Sequence, residues 1–140
     1  MVSRKNIKKH ALISVYNKSK LDYLCKNLKK FNYEFISTGS TCKKILSLGY
    51  NCKEISEVTK FKEILDGRVK TLNPKVFGSI LYKRNDKDHI SQFNSLSFPS
   101  IDIVIVNFYP FDDFYKYSNE EDIIELIDIG GPSLIRAASK

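Results

Sequence analysis

At 140 residues, with 42% apolar and 28% charged side chains, the chain has the makeup of one globular domain with a real core, which excludes wholesale disorder. No apolar run nears the roughly 20 residues that span a bilayer, and the opening Met1-Val-Ser-Arg-Lys-Asn6 lacks the apolar stretch of a secretory signal. The net charge of +7 raises nucleic acid as a partner, yet 19 of the 23 cations are lysines scattered along the chain, without the aromatic-interleaved stripe of a single-strand binder. A small anionic ligand is the better expectation, with no nucleic acid and no membrane partner.

In chain order, His10 to Val15 is a short apolar run suited to a buried strand. Leu21, Leu24, Cys25, Leu28 and Phe31 then fall at helical spacing, with Ser19 and Asp22 as a capping-box-like start. Tyr33 to Ser37 reads as a second strand, and Thr38-Gly39-Ser40-Thr41 as a turn. Cys42, Ile45 and Leu46 mark a helix closed by Gly49, and Tyr50 to Ile55 a weaker third strand. Phe61, Ile64 and Leu65 suggest a short helix that Gly67 ends.

The stretch Asp66-Gly-Arg-Val-Lys-Thr-Leu-Asn-Pro74 follows. If extended, it puts Arg68 and Lys70 on one face beside the Thr71 hydroxyl, an anion clamp. Asn73 and Pro74 are a cap and a first helical residue for Val76, Phe77, Ile80 and Leu81. A further helix covers Asp88 to Leu96. Ile101 to Val106 is the strongest strand, its branched apolar run suiting a parallel strand covered on both faces. Ser118 and Glu121 open a helix with Ile123, Ile124 and Leu126. Ile127 to Ile129 reads as a last short strand, and Gly130-Gly131-Pro132 starts a final helix.

Alternating strands and helices predict an α/β domain on a mainly parallel sheet. Ligands of such sheets bind beyond the carboxyl ends of the strands. The unusual residues obey that rule: Ser14 to Lys18, Ser37 to Thr41, Asn107 to Pro110 and Asp128 to Gly131 each follow a predicted strand. Thr38 to Thr41 offers hydroxyls, backbone N–H groups and a helix start for a phosphate, although a plain helix cap fits that segment as well. Ser14, Lys18 and Arg68 complete a coherent anion pocket. Asp128, between two isoleucines, must be paired or functional; a cap or an ion pair with Arg136 is the structural alternative. Lys140 lies one short helix further on, where the two could meet. Gly130 and Gly131 leave N–H groups open for an oxyanion.

Other chemistries lack support. His10 and His89 are the only histidines, and Cys25, Cys42 and Cys52 show neither metal-ligand nor disulfide-framework spacing. No glycine-rich dinucleotide loop or Walker-type loop appears. No metal or cofactor is expected, and cysteine usage points to the cytoplasm.

Five segments in order, Ala11–Lys18, Ser37–Thr41, Asp66–Lys75, Asn107–Phe111 and Ile127–Pro132, resemble the amino-terminal IMP cyclohydrolase domain of the bifunctional purine-biosynthesis PurH family. The likeness runs from about Ala11 to Lys140. It implies a three-layer α/β/α, methylglyoxal-synthase-like fold over residues 1–140, stopping short of the family domain's end and without its transformylase domain. It also implies ring closure of 5-formamido-imidazole-4-carboxamide ribonucleotide to IMP with loss of water, without cofactor, in a protein that is a homodimer at full length. By that resemblance Ser14, Lys18, Thr38, Gly39, Thr41 and Arg68 hold the nucleotide, chiefly its phosphate, and Ser40 is a further candidate substrate-binding residue in the same turn. Backbone groups near Ile129 and Gly130 meet the base and reacting atoms, and Lys70, Tyr109, Asp128 and Lys140 are catalytic; Thr71, Asn107 and Gly131 are further candidate substrate-binding residues. Ser40 stands where the family usually has glycine, and Asn73 where it has histidine. Methylglyoxal synthase, or an effector-binding module of the same fold, is the alternative.

Overall fold

The computed structural model describes residues 8–140; the amino-terminal segment read above for a secretory signal lies outside the described residues. Strands β1 (Lys9–Val15), β2 (Tyr33–Ser37), β3 (Cys52–Glu54) and β4 (Ile103–Asn107) form one parallel sheet in the order β3-β2-β1-β4. In β1, Leu12 lies opposite Ile36 on one side and Val104 on the other. Ala11, Leu12 and Ile13 are all fully buried, as a strand without polar alternation requires.

The pleat divides the core in two. Leu12 and Ile36 meet Ile55, Val76, Ile80, Ile101 and Leu134 on one face, the side of α3 (Ile55–Thr59), α4 (Pro74–Leu81) and α7 (Gly130–Ala138). Ala11, Ile13 and Phe35 meet Leu21, Cys25 and Ile45 on the other, the side of α1 (Leu21–Lys30) and α2 (Gly39–Ser47). The expected three-layer α/β/α arrangement is therefore present. Helices α5 (Lys87–Ser95) and α6 (Glu120–Glu125) bury no residue fully and lie outside these layers' cores. Asn73 caps α4 as its sequence predicts, its side-chain oxygen accepting the Lys75 N–H at 2.9 Å ahead of Pro74.

Five expectations need correction. The helix expected at Phe61, Ile64 and Leu65 is absent. Instead α3 forms earlier, Lys60 ends it in a left-handed conformation (φ 57°), and only a 3-10 turn follows at Leu65–Gly67. Those three apolar side chains have no surface to bury against and stay exposed. The strand expected at Ile127 to Ile129 does not form, and both isoleucines are exposed.

Consequently β4 is an edge strand among the described residues, half-buried rather than covered on both faces. The Ser19–Asp22 capping box is not made: Asn17 Oδ1 accepts the Ser19 N–H, and Asp22 accepts the Tyr50 hydroxyl instead. Asn119, not Ser118, caps α6, accepting the Asp122 N–H.

Candidate functional site

The carboxyl ends of β1 and β4 mark where the strand order reverses, the usual place for a ligand crevice in an open parallel sheet. A cavity of about 550 Å³ opens there, within the range of small-molecule sites. Its walls are the β1–α1 loop, the start of α2, a strap from Asp66 to Leu72, the end of β4, and the segment entering α7.

The β1–α2 wall is tied together by its own polar groups. The Thr41 hydroxyl donates to the Val15 carbonyl at 2.9 Å and accepts the Val15 N–H at 3.3 Å, so it joins α2 to β1. Ser14 Oγ lies 3.2 Å from Thr38 Oγ1, and Ser37 donates to the Ile13 carbonyl at 2.6 Å. The N–H groups at the head of α2 are less open than the sequence suggests. Gly39 donates to Glu54 Oε1 at 3.2 Å, and Thr41 donates to the Thr38 carbonyl at 3.0 Å. Burial pushes the Glu54 carboxyl up, but hydrogen bonds from Ser56 and Gly39, with the charge of Lys70, outweigh that and hold it below the usual value.

Asn107 closes the wall from β4. Its Oδ1 accepts the N–H groups of Tyr16 at 2.6 Å and Asn17 at 3.0 Å, and its Nδ2 donates to the Asn17 carbonyl at 2.9 Å. That bracket fixes the loop after β1 and sets the Tyr16 ring 5.2 Å from Tyr109 at the cavity. Lys18 points its amine back to the Tyr16 carbonyl, 3.0 Å away.

The strap is not the extended segment expected. Successive i to i+3 bonds, Gly67 to Ile64, Arg68 to Leu65 and Lys70 to Gly67, coil it into tight turns. Leu65, Asp66 and Gly67 all take positive φ (51°, 52° and 84°), a conformation that costs a non-glycine residue about 1 kcal/mol or more. Coiling separates the two cations. Arg68 pairs with Glu125 of α6, whereas Lys70 pairs with Glu63 at 3.2 Å. Both belong to the cavity lining, but they do not form a single clamp.

At the far wall Asp128 Oδ1 accepts the Gly131 N–H at 2.9 Å, so the acid caps the first turn of α7 rather than pairing with Arg136. That same bond closes one of the two N–H groups expected to stay open for an oxyanion. A Cβ on Gly131 would stand 2.5 Å from Asp128 Oδ2 and 3.0 Å from the Phe108 ring, and one on Gly130 would stand 3.1 Å from Thr71 Oγ1. Both glycines are there for close approach.

Lys140 does not meet Asp128. Nine residues of α7 lie between them, roughly 14 Å along the axis, and Lys140 is exposed beyond its end.

The cavity thus gathers Ser14, Lys18, Thr38, Gly39, Ser40, Thr41, Arg68, Lys70, Thr71, Asn107, Tyr109, Asp128, Ile129, Gly130 and Gly131, and leaves out Lys140. Sequence reasoning missed Tyr16 and Glu125 in the lining, and Glu54 and Glu63 behind it. Glu54 two residues before Ser56 is a legible cap signal; Glu125 and Glu63 carry none, because their partners are 57 and 7 residues away. Among the described residues no group of three or more His, Cys, Asp or Glu could hold a metal ion, and no helix is long and apolar enough to cross a membrane.

Comparison with known proteins gives a consistent set of relatives. The family model described as the MGS-like domain matches residues 20–133. The chain is 50% identical over 133 residues to the bifunctional purine biosynthesis protein PurH of Clostridioides difficile, covering 94% of this chain and 26% of that protein. PurH of Bacteroides thetaiotaomicron is also 50% identical over 133 residues, with the same coverage of 94% and 26%. PurH of Aquifex aeolicus is 48% identical over 134 residues, covering 93% of this chain and 26% of that protein. The chain therefore spans about a quarter of the length of the curated relatives it matches. Among solved structures, the crystal structure of ForH aligns with a TM-score of 0.77 at 26% identity, covering 94% of this chain and 68% of that one.

Proposed function

The chain belongs to the MGS-like domain family, and from that premise we propose that its cavity is an IMP cyclohydrolase site, closing 5-formamido-imidazole-4-carboxamide ribonucleotide to IMP with loss of water. The observation that carries the reading is that one cavity holds every candidate substrate-binding residue together with Lys70, Tyr109 and Asp128. The PurH relatives are purine-biosynthesis proteins, which supports a purine precursor as ligand.

On this reading Arg68 and Lys18 supply charge to the phosphate, beside the hydroxyls of Ser14, Thr38 and Ser40. The phosphate replaces Glu125 as the partner of Arg68. The base lies toward Thr71, Gly130 and Tyr109, where the glycines let backbone approach it. Holding the carboxamide nitrogen against the formyl carbon supplies much of the rate. As the new C–N bond forms, the formyl π pair moves to oxygen, and Lys70 donates to that developing oxyanion. Asp128 takes the proton released by the attacking nitrogen. Water then leaves as the former formamide nitrogen gives up its own proton, which creates the ring C=N bond.

No electron acceptor or group carrier enters this balance. Lys140 has no part in it. The reading brings with it a cytoplasmic protein and a homodimer of the longer polypeptide.

The test is conversion of the formamido ribonucleotide to IMP, followed by absorbance. Turnover that Lys70→Ala lowers by about a hundredfold or more fits removal of an oxyanion donor. Nucleotide binding without turnover favours an effector-binding module, and turnover that survives Lys70→Ala contradicts the assigned role.

A further inference from the structure

Among the described residues that line the cavity, only Tyr16 and Tyr109 are aromatic. Their ring centroids are 5.2 Å apart at an interplanar angle of 58°, a tilted geometry of the kind aromatic pairs prefer. The pair does not bury itself. Tyr16 is 53% exposed and Tyr109 48%, so apolar ring surface is left open at the cavity.

The position of Tyr16 is built by its neighbours. Residues 16 and 109 follow the paired strands β1 and β4, where Val15 lies opposite Asn107. Asn107 commits both ends of its amide to the loop after β1. Its Oδ1 accepts the Tyr16 and Asn17 N–H groups at 2.6 and 3.0 Å, and its Nδ2 donates to the Asn17 carbonyl at 2.9 Å. Lys18 adds a bond from its amine to the Tyr16 carbonyl at 3.0 Å. The main chain of Tyr16 is thereby held beside Lys18, while its ring reaches across to Tyr109.

We propose that Tyr16 is a specificity-determining residue: with Tyr109 it forms the aromatic wall of the cavity, against which the planar base of a nucleotide lies. That the ligand carries such a base rests on the purine reading above; the wall itself does not. An aromatic face attracts a flat π surface and offers nothing comparable to a sugar or a phosphate. Tyr16 therefore separates two affinities that a general loss of structure would lower together. One is for a nucleotide, the other for the same sugar phosphate without its base.

Calorimetric titration with IMP and with ribose 5-phosphate tests this on the wild-type chain, Tyr16→Phe, Tyr16→Leu and Tyr16→Ala. Wild type should bind IMP about tenfold or more tighter than ribose 5-phosphate. Tyr16→Ala should weaken IMP about fivefold or more, as loss of one stacked ring does, and leave ribose 5-phosphate within about twofold. Tyr16→Phe keeps the ring and should stay within about twofold of wild type for both ligands. Tyr16→Leu is apolar without a π face and should weaken IMP about threefold or more. Phe against Leu therefore decides the question even if Tyr16→Ala fails to fold.

In the ring-closure assay Tyr16→Ala should raise KM about fivefold with kcat within about threefold of wild type. A wild type that binds IMP no tighter than ribose 5-phosphate overturns the proposal. So do equal losses of both ligands in Tyr16→Ala, and equal IMP affinity in Tyr16→Phe and Tyr16→Leu. The expected binding pattern with no IMP formed contradicts the ring-closure reading alone. Turnover in a chain whose IMP affinity ignores Tyr16 overturns the aromatic wall alone.

Discussion

The two long walls of the cavity are built on opposite plans. The β1–α2 wall is continuous with the core: Thr38 and Thr41 are buried, and the polar contacts of Thr41 run to main chain across the β1–α2 gap. The segment from Phe61 to Leu72 is exposed up to Asp66 and only partly covered beyond it, with Thr71 alone buried; it passes through three consecutive positive-φ residues and is held across the cavity by the ion pair of Arg68 with Glu125. One wall is rigid because it shares the packing of the sheet. The other can rearrange, because exposed ion pairs are worth at most about 1 kcal/mol each and yield to a better anion. On the proposed reading, such a pairing suits a site that must both fix a phosphate and exchange it.

The largest way to break this contrast is to cut the shared core. Leu12→Ala should destabilise the protein by about 2–5 kcal/mol, whereas Leu65→Ala on the strap should change stability by less than about 0.5 kcal/mol, both read from urea unfolding. Thr41→Val comes next. It keeps the shape but removes a hydroxyl that serves both N–H and C=O of Val15, for a loss of about 1–3 kcal/mol.

On the strap the sign of interest is in binding. Arg68→Ala should weaken inorganic phosphate about tenfold or more while leaving the thermal midpoint nearly unmoved, and a joint loss of both would make the two walls alike.

The smallest effect is a pH dependence of the rigid wall. Glu54 titrates below its ordinary 4.5 in the fold, so its contribution is present above that value and is lost as pH falls through the lowered one. Wild type should therefore lose stability more steeply than Glu54→Gln below about pH 4.5, by melting temperature against pH.

How much of this was legible in sequence follows the same division. The rigid wall is written locally: an unbroken apolar run for β1, Asn73-Pro74 for α4, and polar clusters at strand ends. Those signals led to Ser14, Lys18, Thr38, Gly39, Ser40, Thr41, Asn107 and Tyr109 in the lining and to the correct edge of the sheet. The strap was misread because its conformation depends on partners distant in sequence. An alternating pattern, Arg68 and Lys70, looks extended until i to i+3 bonds and two separate acids pull the cations apart.

Ile127 to Ile129 has strand-like residues but no neighbour strand to pair with, so apolar character alone did not decide it. Lys140 stands outside the cavity lining for a geometric reason, since the helix between it and Asp128 keeps the two apart as firmly as it keeps neighbours on one face together.

The cavity as a nucleotide site is tested most directly by titrating the isotope-labelled chain with IMP and following backbone amide shifts. The account predicts changes concentrated at Ser14, Lys18, Ser40, Arg68, Lys70, Thr71 and Gly130, lost in Arg68→Ala. Shifts centred elsewhere, such as the groove between α1 and β4 lined by Leu21, Leu24, Ile105 and Val106, or a titration that Arg68→Ala leaves unchanged, would contradict it.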